Sequence, residues 1–129
     1  MPEVLIVEDN PINQRLLAFL LTRAGISHAI CASGEEALRI LENQPFRVVL
    51  TDLMLPGMSG RQLLQRIRAE GRWTALAVIA VTACAPGGAQ LQAITEGFDS
   101  YIVKPYDRDQ LIATVRRFLD RAPVPAAPS

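Results

Sequence analysis

The chain has 129 residues, half of them apolar, and its 13 cationic side chains balance 13 acids to a formal net charge of zero. That is one domain's length with enough apolar residues for a sizeable core, and it carries no electrostatic footprint for nucleic acid or an anionic membrane. The start, Met1-Pro2-Glu3-Val4-Leu5-Ile6-Val7-Glu8-Asp9, has no basic segment and meets acids too early for a signal peptide; no apolar run is long enough to span a bilayer; and Cys31 and Cys84 have neither metal-ligand nor disulfide spacing, which together fit a reducing cytoplasm.

Strands and helices are predicted to alternate five times. Val4 to Val7 is a short apolar strand ending in Glu8-Asp9. Asn10-Pro11 opens a helix, Asn as N-cap and Pro at the first helical position. Ile12, Leu16, Phe19 and Leu20 recur along it at helical spacing, and Gly25 closes it. Ser27 to Cys31 reads as a weak second strand. Ser33-Gly34-Glu35-Glu36 has the pattern of a capping box for a helix carrying Ala37, Leu38, Ile40 and Leu41, which Pro45 ends. Arg47 to Thr51 is the third strand, followed at once by Asp52 and the Pro56-Gly57 loop.

Arg61 to Glu70 is helical by spacing, with Leu63, Leu64 and Ile67 inward and Gly71 as the stop. Ala77 to Thr82 is the fourth strand. Pro86-Gly87-Gly88 is a poor helix start, so the helix that follows to Glu96 is expected to be short and easily repositioned. Gly97 caps it, and Tyr101 to Val103 is the fifth strand. Asp107-Arg108-Asp109-Gln110 is a second capping-box pattern, leading a helix with Leu111, Val115, Phe118 and Leu119 on one stripe. Residues 122–129, rich in Pro and Ala, read as a loose tail or the start of a linker after a domain spanning 1–121. Near-continuously apolar strands in strict alternation with helices predict an α/β fold: a doubly wound, five-stranded parallel sheet with helices on both faces.

In such a sheet the working edge is where strands deliver their carboxyl ends. The first strand brings Glu8 and Asp9, the third Asp52, the fourth Thr82, and the fifth Tyr101 followed by Lys104-Pro105. A helix N-terminus accounts for one of the acids after the first strand. Two acids plus Asp52 on one edge would repel each other without a hard cation, and oxygen ligands with room for water suit Mg²⁺, with Mn²⁺ as the alternative ion. Lys104 is the only lysine in a chain whose other twelve cations are arginine, which suggests that a compact ammonium is required there. A metal, an ammonium and the Thr82 hydroxyl together make a site for a tetrahedral oxyanion beside a carboxylate, and carboxylates serve as nucleophiles that form aspartyl-phosphates.

Four segments carry a family resemblance: the pair Glu8-Asp9, the run from Asp52 through Pro56 to Gly60, Val81-Thr82-Ala83, and Tyr101 to Lys104-Pro105. In this order and on these strand ends they resemble the receiver domain of two-component response regulators, from Glu3 to Arg121. The resemblance implies strand order 2-1-3-4-5 and a phosphoryl group carried on Asp52. It implies Mg²⁺ held by Asp9, Asp52 and the backbone carbonyl of Met54, with Glu8 acting through water. Lys104 would contact the phosphoryl oxygens, and Thr82 would close on them as Tyr101 turns inward. The implied donor is a phosphohistidine on a sensor histidine kinase or a histidine phosphotransfer protein. The implied output surface comprises the helix after the fourth strand, the fifth strand and the last helix, a face that would also serve a homodimer.

The domain would be a signalling phosphoacceptor rather than an enzyme, its chemistry confined to its own phosphorylation and dephosphorylation, as a separate regulator or within a hybrid histidine kinase. Departures from the family pattern are Leu55 where Met is common, Glu8 as the first acid, and Ala77 before the fourth strand; none removes a chemical group. Met54 and Cys84, two residues beyond Asp52 and Thr82, are expected to flank the path of attacking water and slow hydrolysis. Rival readings are a flavodoxin-like ligand-binding module, disfavoured because Glu8-Asp9-Asn10-Pro11 would repel a bare phosphate, and a small Mg²⁺-dependent phosphatase, which wants an acid/base where this chain has Met54. A phosphorylation-independent scaffold would have no use for the reactive set.

Overall fold

Alternation within each strand decides how the sheet is covered, because successive side chains point to opposite faces. The computed structural model describes residues 3–82, of Thr82 the main chain alone, and 97–120. Strands β1 (Val4–Val7), β2 (His28–Cys31), β3 (Val48–Asp52), β4 (Ala77–Thr82) and β5 (Ser100–Val103) form one parallel sheet in the order β2-β1-β3-β4-β5. Val4, Ile6, Val48, Leu50, Ile79, Val81 and Ile102 point to one face, where helices α1 (Pro11–Arg23) and α4 (Arg108–Leu119) cover them with Leu17, Leu20, Leu21, Leu111 and Val115. Leu5, Val7, Val49, Val78 and Ala80 point the other way, into Ala37 and Leu41 of α2 (Gly34–Asn43) and Leu63, Leu64 and Ile67 of α3 (Gly60–Arg68). Both faces are therefore dry, as the near-continuous apolar strands require.

The helix ends follow their caps. The Asn10 carboxamide oxygen accepts from the Ile12 and Asn13 N–H groups with Pro11 as the first helical residue, and Ser33 Oγ accepts from Glu36 N. Asp107 accepts from Gln110 N at the start of α4. A full reciprocal box forms at Ser59, whose hydroxyl accepts from Gln62 N while Gln62 Oε1 accepts from Ser59 N. That cap starts α3 at Gly60 rather than Arg61, and the helix ends at Arg68 rather than Glu70. Gly71, expected as its stop, instead begins a 3-10 turn, Gly71–Trp73. Trp73 lies half-buried on the α2/α3 side with the Arg72 guanidinium 4.7 Å from its ring centroid.

Periodicity along α1 does not say which side is buried. Ile12, Leu16 and Phe19 are 74%, 44% and 58% exposed, while Leu17, Leu20 and Leu21 face the sheet. The helix is apolar on two sides, so spacing alone could not tell which side is buried. The fourth predicted helix, to Glu96, and the tail at 122–129 lie outside the described residues. Among the described residues no helix is long and apolar enough to cross a membrane.

Candidate functional site

Strand order reverses at β1, and there the carboxyl ends of β1 and β3 open a crevice. The register aligns Val7 with Thr51, Asp52 with Val81, and Thr82 with Val103. Glu8, Asp52, the Thr82 backbone and Lys104 consequently share one rim. Tyr101 is the second residue of β5, two before the strand's end, opposite Ala80 and half-buried on the α2/α3 side.

At the rim, carboxylate oxygens of Glu8, Asp9 and Asp52 all lie within 4.8 Å of one another. Lys104 Nζ donates to Asp52 Oδ2 at 2.9 Å and to Glu8 Oε1 at 3.3 Å. The second oxygens are also engaged, Asp52 Oδ1 accepting from Met54 N at 3.0 Å and Glu8 Oε2 from Asn10 N at 3.1 Å. Glu8 is only 2% exposed. Burial pushes its carboxyl above the ordinary range and the Asp52 charge adds to the rise, while the Asn10 N–H and Lys104 only partly offset it. Burial alone would lower the Lys104 ammonium; the hydrogen bond and charge of Asp52, reinforced by Glu8, hold it above the usual lysine value instead. The peptide bond from Lys104 to Pro105 is cis.

One ammonium facing three carboxylates leaves the cluster short of positive charge. The donors are hard oxygens and Asp9 is exposed to solvent, so the set fits a divalent ion of the Mg²⁺ kind, which keeps part of its water shell. Met54 holds its amide on Asp52 and leaves its side chain 79% exposed. The Thr82 side chain and Cys84 lie outside the described residues.

Several supports were not singled out from sequence. The buried Thr51 hydroxyl donates to the Asp52 carbonyl at 3.0 Å, and the Gln14 carboxamide donates to the Glu8 carbonyl. Gly60 N donates to Leu53 O at 3.1 Å, and its bare Cα lies against the Asp52 main chain. Cys31, the other cysteine, is buried under the sheet end. Burial and the Glu36 charge push its thiol up to about 12, so it packs as a small apolar group.

A doubly wound sheet whose switch point holds carboxylates and a lysine, with no glycine-rich phosphate loop, is a carboxylate-centred α/β domain. Residues 4–116 match the response regulator receiver domain family. The sensory transduction protein RegX3 of Mycolicibacterium smegmatis is 39% identical over 121 residues, which are 94% of this chain and 52% of that protein. The receiver domain of sensor histidine kinase PA1611 from Pseudomonas aeruginosa, with magnesium coordinated in its active-site cleft, superposes with a TM-score of 0.83 at 32% identity, over 92% of this chain and 97% of that one. The receiver domain of the Saccharomyces cerevisiae response regulator Ssk1, solved with the histidine phosphotransfer protein Ypd1, gives 0.82 at 28% identity over 91% and 88%. The chain belongs to the response regulator receiver domain family of two-component signalling. It spans about half the length of the curated regulators it matches and 13% of a matching sensor kinase.

Proposed function

We propose that Asp52 is the phosphoacceptor of this receiver. The observation that carries the reading is that its two carboxylate oxygens are held apart by function, one on the Met54 N–H and one on the Lys104 ammonium, inside a cluster of three carboxylates that one ammonium balances only in part. An Asp52 oxygen attacks the phosphorus of a phosphohistidine; the new P–O bond forms as the P–N bond breaks, and the imidazole leaves with that electron pair. Lys104 then moves its charge from a carboxylate to the phosphoryl oxygens. Asp9, Asp52 and the Met54 carbonyl would hold Mg²⁺, with Glu8 acting through water. When bound, the ion supplies charge compensation for the gathering oxyanions. Thr82 and Tyr101 carry the switch toward the face made of the predicted helix before Gly97, β5 and α4. Residues 1–121 form the signalling unit, the remainder a linker, and the domain acts in the cytoplasm as a phosphoacceptor, not as an enzyme with turnover.

Labelling with a small phosphodonor such as acetyl phosphate tests this. Incorporation of one phosphoryl group is expected, abolished by Asp52→Asn and by EDTA. Label surviving either treatment counts against the reading.

The donor is a histidine kinase or phosphotransfer protein. Helix α1 starts beside Asp9, and its exposed Ile12, Leu16 and Phe19 offer an apolar strip next to the acceptor. Docking there would bring a phosphohistidine to Asp52 while burying that strip. Phe19→Asp is expected to lower the ratio of phosphotransfer-protein labelling to acetyl-phosphate labelling about tenfold or more. An unchanged ratio would place the partner elsewhere.

A further inference from the structure

We propose that Gly34, at the start of α2, is a positioning residue for Asp52 and acts through Met58. The proposal deepens the Asp52 reading and rests on it. A Cβ added at Gly34 would lie 2.9 Å from Met58 Sδ, 3.2 Å from its Cγ and 3.3 Å from its Cβ. Met58 therefore sits flush on bare main chain. Backbone freedom does not explain this glycine, because its φ lies outside the left-handed region. Helix formation does not explain it either, since Ser33 already caps α2 and glycine is the poorer helix former. What the position supplies is the absence of a side chain.

Met58 belongs to the loop that leaves Asp52 and returns to α3. The same loop has a second cleared approach to α2: Gly57, at φ +71°, where a Cβ would come 3.3 Å from Glu35 Oε2. Beside these contacts is an open cleft of about 420 Å³ bounded by Glu35, Gly57, Met58, Gln62, Gln65 and Arg66. On that flank the loop is steadied by what it touches on α2 and not by dense packing. Rotation can carry Sδ and Cγ away from an intruding methyl group, as methionine readily does. Met58 Cβ has no such freedom, so the loop main chain must yield by a few tenths of an ångström or Met58 must leave its seat. Either movement is passed back along the loop to Met54 and Asp52, which its N–H and carboxylate tie together. Since a 1 Å misplacement at a reacting centre costs roughly a hundredfold, a few tenths is worth about three- to tenfold.

The test measures Mg²⁺ affinity by calorimetry and the initial rate of acetyl-phosphate labelling in the wild type, Gly34→Ala, Met58→Gly and the double variant, with urea midpoints alongside. Gly34→Ala is expected to weaken both readouts about three- to tenfold. The same substitution placed on Met58→Gly is expected to cost less than twofold, because the obstructing Cβ is gone with the rest of the side chain; a purely structural glycine would show no such rescue. Equal losses in both backgrounds, or a changed urea midpoint with both site readouts unmoved, would overturn the proposal. If Gly34→Ala alone fails to fold, a folded double variant with the Mg²⁺ affinity of Met58→Gly supports it, and failure of both variants to fold overturns it. A wild type that takes up no label would refute the Asp52 reading instead, and the Mg²⁺ arm would still decide for or against Gly34.

Discussion

Lys104→Ala is expected to slow phosphoryl uptake by Asp52 about 10²- to 10³-fold, the range seen when one preorganised charge is removed from an oxyanion site. The ammonium touches both Asp52 and Glu8, and its side chain is 20% exposed against 3% for Glu8 and 13% for Asp52. Its removal leaves buried acids facing one another with no cation. Breaking a fully buried pair costs about 3–5 kcal/mol; with solvent reaching Lys104, about 1–2 kcal/mol of stability is expected here. Mg²⁺ should restore much of that stability, because the same carboxylates would hold it, but not the rate, because it cannot stand where the ammonium stood. Lys104→Arg should keep the stability and recover only part of the rate, since a planar fork does not replace a compact point charge. Thermal melts with and without Mg²⁺, beside initial labelling rates, separate the two effects. Wild-type labelling by Lys104→Ala would remove the lysine from the chemistry.

Gly60→Ala should damage the same site from beneath. A Cβ there would collide with the Asp52 carbonyl oxygen and come 2.9 Å from Leu53 Cα, both main-chain atoms that cannot rotate away. Overpacking of this kind costs about 1–3 kcal/mol, and alanine's better helix propensity returns at most about 1 kcal/mol of it. The urea midpoint should fall, and the displaced Asp52 backbone should cost a further tenfold or more in labelling rate. Gly71→Ala is the matched control: nothing lies within 4 Å of its added methyl group, so a change within about 0.5 kcal/mol is expected. Equal behaviour of the two variants would mean that the Asp52 segment gives way freely.

The chemistry of the rim was legible because it depends on residue type at strand ends. Glu8, Asp9, Asp52 and Lys104 each follow an apolar run, and the structure brings them together. The sheet was legible for the same reason, with β1 and β4 placed to the residue and the others within one. What depended on facing neighbours was not. Leu16 and Phe19 are exposed because α1 has two apolar sides and the sheet takes only one. Gly60 could be read as part of a motif, yet its reason, the nearby Asp52 carbonyl, exists only after β3 and α3 meet. The hydroxyl of Thr51 and the carboxamide of Gln14 are invisible until their rotamers are fixed.

The two-sided character of α1 also bears on how such a domain diversifies. Leu17, Leu20 and Leu21 anchor the helix while Ile12, Leu16 and Phe19 stand on its outer, exposed side. With the partner docked on that outer row as proposed, lineages could rewrite it without disturbing reactivity, and duplicated copies could be insulated from each other's inputs by a handful of codon changes. Crosstalk between sibling circuits then becomes a property of one helix's outward alphabet, inherited and edited apart from the machinery that it serves.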